Sequence, residues 1–189
     1  MGGMTDKFVD SLIFNKIIEK ENREIYAFGI RQGLSLVLNI FSTIAVGLAL
    51  SMVWESILFL VFYMPLRCYA GGFHAKTPLR CYLYSLLLVV ISLIIVRQWG
   101  NTVFYQAWTL AAALGIWMMV PVENETKPLN PVERKVYRKR ARIIAVGEYA
   151  ISVLAVLAGA RWIAACIAAA ILALGFMLIT EKIRKKVFP

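Results

Sequence analysis

The chain has 189 residues, of which 60% are apolar and only 17% charged, with a mean hydropathy of +0.70. A water-soluble fold of this length has too little interior to hide so much apolar surface, whereas a helical bundle facing lipid has no need to hide it. A net charge of +10 leaves nucleic acid as a partner only if the basic residues gather on one surface, and three cysteines with a single histidine exclude a disulfide framework and any zinc site needing several histidines.

The first 32 residues are charged and hold no uninterrupted apolar run, which predicts no cleavable leader. Within them Phe8, Val9, Leu12, Ile13 and Ile17 fall on roughly half a helical wheel, with Lys16 and Glu19 intruding, so an interfacial helix is expected. About 20 residues are needed to cross about 30 Å of hydrocarbon. On that measure the apolar runs predict six spans, at 34–53, 56–66, 81–96, 102–122, 143–160 and 163–180. The second is only half length unless its helix continues through Arg67 to Phe73, so it reads as short, tilted or partly re-entrant. In the Ala-rich stretch 158–173, small residues every four positions (Ala160, Ala164, Ala168) suit close helix packing.

Lys and Arg are retained on the cytoplasmic side of inserted segments. Nineteen of the 21 fall in the N-terminal segment and in the connections that return to its side, leaving only Arg97 and Arg161 on the other. Both termini are therefore expected in the cytoplasm, as an even number of spans requires. The positive charge becomes an orientation signal that calls for no nucleic acid. The expected architecture is all-α: one polytopic membrane bundle over 1–189, with a cytoplasmic or interfacial segment at 1–32, the transmembrane part at 33–180 and a basic tail at 181–189.

Chemistry concentrates between Arg67 and Cys81, which holds the only histidine, two of the three cysteines and a Gly pair. Ionisable groups at membrane depth are costly, so such a cluster beside a short span points to function. Gly71-Gly72 would end the second helix, and Thr77-Pro78 reads as N-cap and N1 of the third. Cys81 then lies at or just past the first turn, by the positive end of the helix dipole and close to Lys76 and Arg80, surroundings that suit a nucleophilic thiol. His74 carries the one side chain in the protein whose ordinary chemistry suits proton shuttling near neutrality, and a Cys–His pair is the minimal activated nucleophile. A metal site from Cys68, His74 and Cys81 lacks a fourth ligand, so no metal or cofactor is expected.

This segment resembles the AgrB family of accessory gene regulator proteins, membrane cysteine endopeptidases that process the precursor of a cyclic autoinducing peptide. The resemblance rests on Leu66-Arg67, on Ala70-Gly71-Gly72-Phe73-His74-Ala75-Lys76-Thr77 and on Cys81 seven residues after the histidine. Tyr26-Ala27-Phe28-Gly29, Pro121-Val122-Glu123 and Asn124-Glu125-Thr126-Lys127-Pro128-Leu129 also look similar. It implies Cys81 as nucleophile and His74 as its base, in a plasma-membrane enzyme whose site faces the cytoplasm. It also implies an AgrD-like precursor as partner and a homodimer. Arg67, Gly71, Gly72, Lys76, Arg80 and Lys127 would support the site or bind substrate. Cys68 is not part of the motif.

Glu123, Glu125 and Glu133 are open candidates for a third catalytic residue. Backbone amides near Gly72 or at the start of the third helix are expected to stabilise the oxyanion. The basic residues Arg134, Lys135, Arg138, Lys139, Arg140 and Arg142 either anchor the chain to anionic lipid or dock an acidic part of the precursor. The rival reading is a small transporter or channel subunit, for which Asn39 and Glu148, the latter near a helix end, are the few polar groups within spans.

Overall fold

The computed structural model describes residues 2–72, 77–99, 103–122 and 130–187. These form seven α-helices: α1 (Gly2–Phe14), α2 (Arg23–Ala49), α3 (Val53–Ala70), α4 (Pro78–Trp99), α5 (Tyr105–Met119), α6 (Pro131–Leu157) and α7 (Arg161–Val187). Among the described residues there is no strand, only one isolated parallel bridge between Gly71 and Val122. The chain divides into two compact units, Met1–Ser42 and Thr43–Pro189.

In the first unit α1 leads through a turn at Lys16 and a short 3-10 turn at Lys20–Asn22 into α2. Val9, Ile18 and Ala27 make a small core, with Leu12, Ile13 and Ile30 packed against it. Arg23 Nε donates to Asp10 Oδ1 at 2.8 Å, and this bond holds the Asp10 carboxyl below its ordinary range. The apolar set expected on one face divides: Val9 turns inward, while Phe8 and Ile17 stay exposed.

The second unit is built around α7, in which every residue from 164 to 171 is buried. A helix apolar on all sides has to be surrounded, and α3, α4, α5 and α6 all pack against it. Its alanines make that possible, because small side chains let four neighbours approach one axis. Ala164 and Ala168 are fully buried, and Gly175 closes on Ala112 of α5.

Contacts at the two ends of this unit give the directions of its helices. At one end Val122, just after α5, donates its N–H to Ala70 O at the end of α3 (3.0 Å). At the same end Arg142 of α6 donates to Trp117 O of α5 (3.1 Å), and Arg140 of α6 to the Tyr69 hydroxyl of α3 (3.0 Å). At the other end the Trp99 and Tyr105 rings stack at 5.5 Å, and the Tyr105 hydroxyl donates to Arg161 O (3.2 Å). There also Gln106 donates to Ser152 Oγ (2.8 Å) and Arg97 reaches Leu50 O (3.5 Å). Successive helices therefore alternate in direction, and α3 runs parallel to α7.

Four helices, at Lys20–Ala49, Val53–Ala70, Leu79–Trp99 and Arg161–Lys186, are long and apolar enough to cross a membrane. The second expected span is not cut at Leu66: α3 is continuous for 18 residues, with Pro65 inside it, and ends at Gly71. α5, at 15 residues, is shorter than the run at 102–122. α6 starts well before the fifth expected span, because Asn130 and Glu133 form a reciprocal capping box around Pro131, so the basic residues from Arg134 to Arg142 lie on a helix. Glu148 lies well inside α6 rather than near its end, on the buried face with Ala141, Ala145 and Ser152.

Candidate active site

The last turn of α3 is folded over by Arg67. Its backbone carbonyl accepts from Gly71 N (3.3 Å), and its guanidinium donates to the Gly71 carbonyl, so the residue grips both sides of the helix terminus. Gly71 has φ 79 and ψ −149, a conformation essentially confined to glycine. A Cβ on Gly71 would collide with the Val122 carbonyl oxygen, and one on Gly72 with the Arg67 guanidinium. The two glycines thus let three things meet: the end of α3, the Arg67 head and the strand-like segment after α5.

α4 begins at Pro78, and Thr77 supplies its first bonds. Arg80 N donates to Thr77 Oγ1 (3.4 Å) and Cys81 N to Thr77 O (3.1 Å). Cys81 is therefore at the end of the first turn. It is half-buried, whereas Cys68 is exposed and Cys166 is buried within α7. Arg80 is exposed. His74, Lys76 and Lys127, with Glu123 and Glu125, lie outside the described residues.

Two contacts act as rulers along the bundle. The Tyr63 hydroxyl donates to Met177 Sδ at 2.8 Å, and because α3 and α7 run parallel, Arg67 one turn later comes level with Glu181. Trp99 and Arg161 share a level through Tyr105. Cys81 precedes Trp99 by 18 residues and Ile179 follows Arg161 by the same 18, so in antiparallel helices with equal rise Cys81 is level with the turn of α7 around Ile179. Tyr63, Arg67 and Cys81 therefore share one layer of the bundle. In agreement, both Arg67 and Cys81 lie within electrostatic range of the Tyr63 phenol.

Around this layer the end of the bundle is strongly basic and laced to α6. Arg140 lies over the Tyr69 ring (5.3 Å), Tyr69 meets Tyr137 edge-on (5.6 Å), and Arg142 lies over Trp117 (4.8 Å). Glu133, one of the open candidates for a third catalytic residue, has its side chain on Asn130 N (3.0 Å) as part of the α6 cap. Of the amides near Gly72 and at the start of α4, those of Gly71, Arg80 and Cys81 have acceptors. Sequence reasoning passed over Tyr63, Met177 and the Tyr69–Arg140 pair, since nothing in an apolar stretch marks a tyrosine whose partner is 114 positions away. Among the described residues no three of His, Cys, Asp and Glu gather as a metal site.

A family model described as Accessory gene regulator B matches residues 5–180. A curated protein of Clostridium perfringens (strain 13 / Type A), named Putative AgrB-like protein 2, is 25% identical over 136 residues, covering 66% of this chain and 62% of the relative. The match thus takes in less than two thirds of that relative's length. No solved structure matches the chain.

Proposed function

The chain belongs to the accessory gene regulator B family, and from that premise we propose that it is a membrane cysteine endopeptidase, a single domain over 1–189 that processes the precursor of a quorum-sensing peptide. Cys81 is the nucleophile and His74 its base. The thiol attacks a backbone carbonyl of the precursor while the imidazole takes the thiol proton and returns one to the departing amine. The product is an acyl-enzyme thioester. Exchange with an internal cysteine of the peptide closes a thiolactone, because one thioester retains enough acyl-transfer energy to form another. An internal serine would give the lactone by the same attack.

The observation that best supports this reading is the half-buried Cys81 at the first turn of α4, level with Arg67 at a terminus that only glycines permit. A thiol half covered by protein is shielded from bulk water, which favours exchange over hydrolysis. Arg67 holds the Gly71 carbonyl, three residues before His74 in the sequence. Lys76, Arg80 and Lys127, with the basic first half of α6, serve an acidic part of the AgrD-like precursor or the anionic lipid surface. The enzyme sits in the bacterial plasma membrane as six spans with both termini and the site in the cytoplasm. It acts as a homodimer and needs no cofactor.

The test is cleavage of the precursor in proteoliposomes. Cys81→Ala should abolish it, and Cys166→Ala should leave it largely intact, since Cys166 is packed inside α7. Equal activity in Cys81→Ala and wild type would end the protease reading.

A further inference from the structure

Attack by a thiol on a carbonyl places a full negative charge on oxygen, and a site that speeds the step needs a donor aimed at it. Among the amides near Gly72 and at the start of α4, those of Gly71, Arg80 and Cys81 are bonded within the helix ends themselves. A different donor stands in the same layer. Tyr63 is only partly covered, and its ring is held from one side by stacking on Phe59 (centroids 5.2 Å apart). Its hydroxyl donates to the Met177 thioether (2.8 Å), the weakest kind of acceptor a protein offers. An oxyanion would take that hydrogen bond from a sulfur at little cost.

The position fits as well as the chemistry. Tyr63 is level with Met177 on α7, and by helix rise Cys81 is level with Ile179, so both stand at the height of the same turn of α7. Two residues of helix correspond to about 3 Å along the axis. Arg67 lies one turn beyond Tyr63 on the same helix, near enough to add positive potential to the spot.

We propose that Tyr63 is a catalytic residue whose hydroxyl donates the hydrogen bond that stabilises the oxyanion formed when Cys81 attacks the substrate carbonyl. This rests on the reading of Cys81 as the nucleophile. As the Cys81 Sγ–carbon bond forms, the carbonyl π pair moves onto oxygen, and the Tyr63 O–H turns from Met177 Sδ to that oxygen. Tyr63 keeps its proton throughout. When the intermediate collapses, the pair returns to re-form C=O, the bond to the leaving group breaks, and the leaving group takes its proton from the base that removed it from the thiol.

Two small electrophiles separate this role from a structural one, applied to full-length protein in proteoliposomes with Cys68→Ser and Cys166→Ala as background. 4-Nitrophenyl acetate acylates a thiol through an oxyanion; iodoacetamide alkylates it by direct displacement at carbon, with no oxyanion. Tyr63→Phe keeps the ring and its stack on Phe59. It should slow acylation of Cys81 by about 100-fold, the usual effect of losing one oxyanion donor, and leave alkylation unchanged. Equal acylation rates for Tyr63→Phe and Tyr63 overturn the proposal, and so does an equal slowing of both reactions, which would mean that the phenol acts on the thiol itself. If adding Cys81→Ala to the background leaves the acylation burst intact, the nucleophile reading falls first, and this proposal with it.

Discussion

Gly71 carries two demands at once: a backbone conformation that other residues reach only with strain, and a Val122 carbonyl lying where a Cβ would stand. Strain of that kind costs on the order of 1–3 kcal/mol before any collision is counted. Gly71→Ala should therefore lower the thermal unfolding midpoint in detergent and lose precursor cleavage together. An unchanged midpoint would mean that the end of α3 is not held as described. The Gly pair was readable in the sequence as a helix breaker. Its partner was not, because Val122 belongs to a segment that the chain reaches only after two further helices, and such proximity leaves no local mark. Arg67 was expected to support the site or to bind substrate, and the sequence could not choose between the two. Its guanidinium is on Gly71 O, so part of its role is to hold the helix end.

Among the elements, α6 departs most from the sequence expectation. The run from 123 to 142 reads as a basic connection because its hydropathy is low, yet Asn130-Pro131-Val132-Glu133 is a helix start by its chemistry: a capping side chain, Pro at the first helical position and a carboxylate at the third. That signal was present and was outweighed by the charge. If Glu133 serves only the cap, Glu133→Gln should keep both stability and cleavage, because the amide oxygen still accepts from Asn130 N. Glu133→Ala should cost about 1 kcal/mol, seen by chemical denaturation in micelles. Loss of cleavage in Glu133→Gln with normal stability would return Glu133 to the catalytic candidates. α5 misses in the opposite direction. Its 15 residues span about 22 Å, less than the hydrocarbon thickness, so its ends rely on neighbouring helices rather than on length. Apolar composition cannot reveal that, since the run at 102–122 includes residues that leave the helix at Val120-Pro121.

At the scale of the molecule, two independent counts agree. Contacts among side chains and backbone put the end of α3, the end of α5 and the basic half of α6 together, and put Leu50, Arg97, Tyr105, Ser152 and Arg161 together at the opposite end. Within the second unit, sorting the basic residues by connection, with no structure, likewise groups Arg67, Arg80 and the basic run of α6 apart from Arg97 and Arg161. Alternation within the second unit was therefore legible from charge, whereas the number of lipid crossings was not: among the described residues four helices are long and apolar enough to cross by themselves. Helices α5 and α6 lie between partners that do qualify, and their directions are fixed by contacts to α3 and α7. If α5 and α6 also cross, Val103 and Lys139 must face opposite compartments, because the first stands before α5 and the second on the basic half of α6. Single cysteines at these two positions, in a protein otherwise freed of thiols, should react with a membrane-impermeant maleimide from opposite sides of sealed vesicles, Lys139→Cys from the side of the N-terminus. Labelling of both from one side would mean that α5 enters and leaves by the same face, which would remove the six-span arrangement while keeping the helix packing intact.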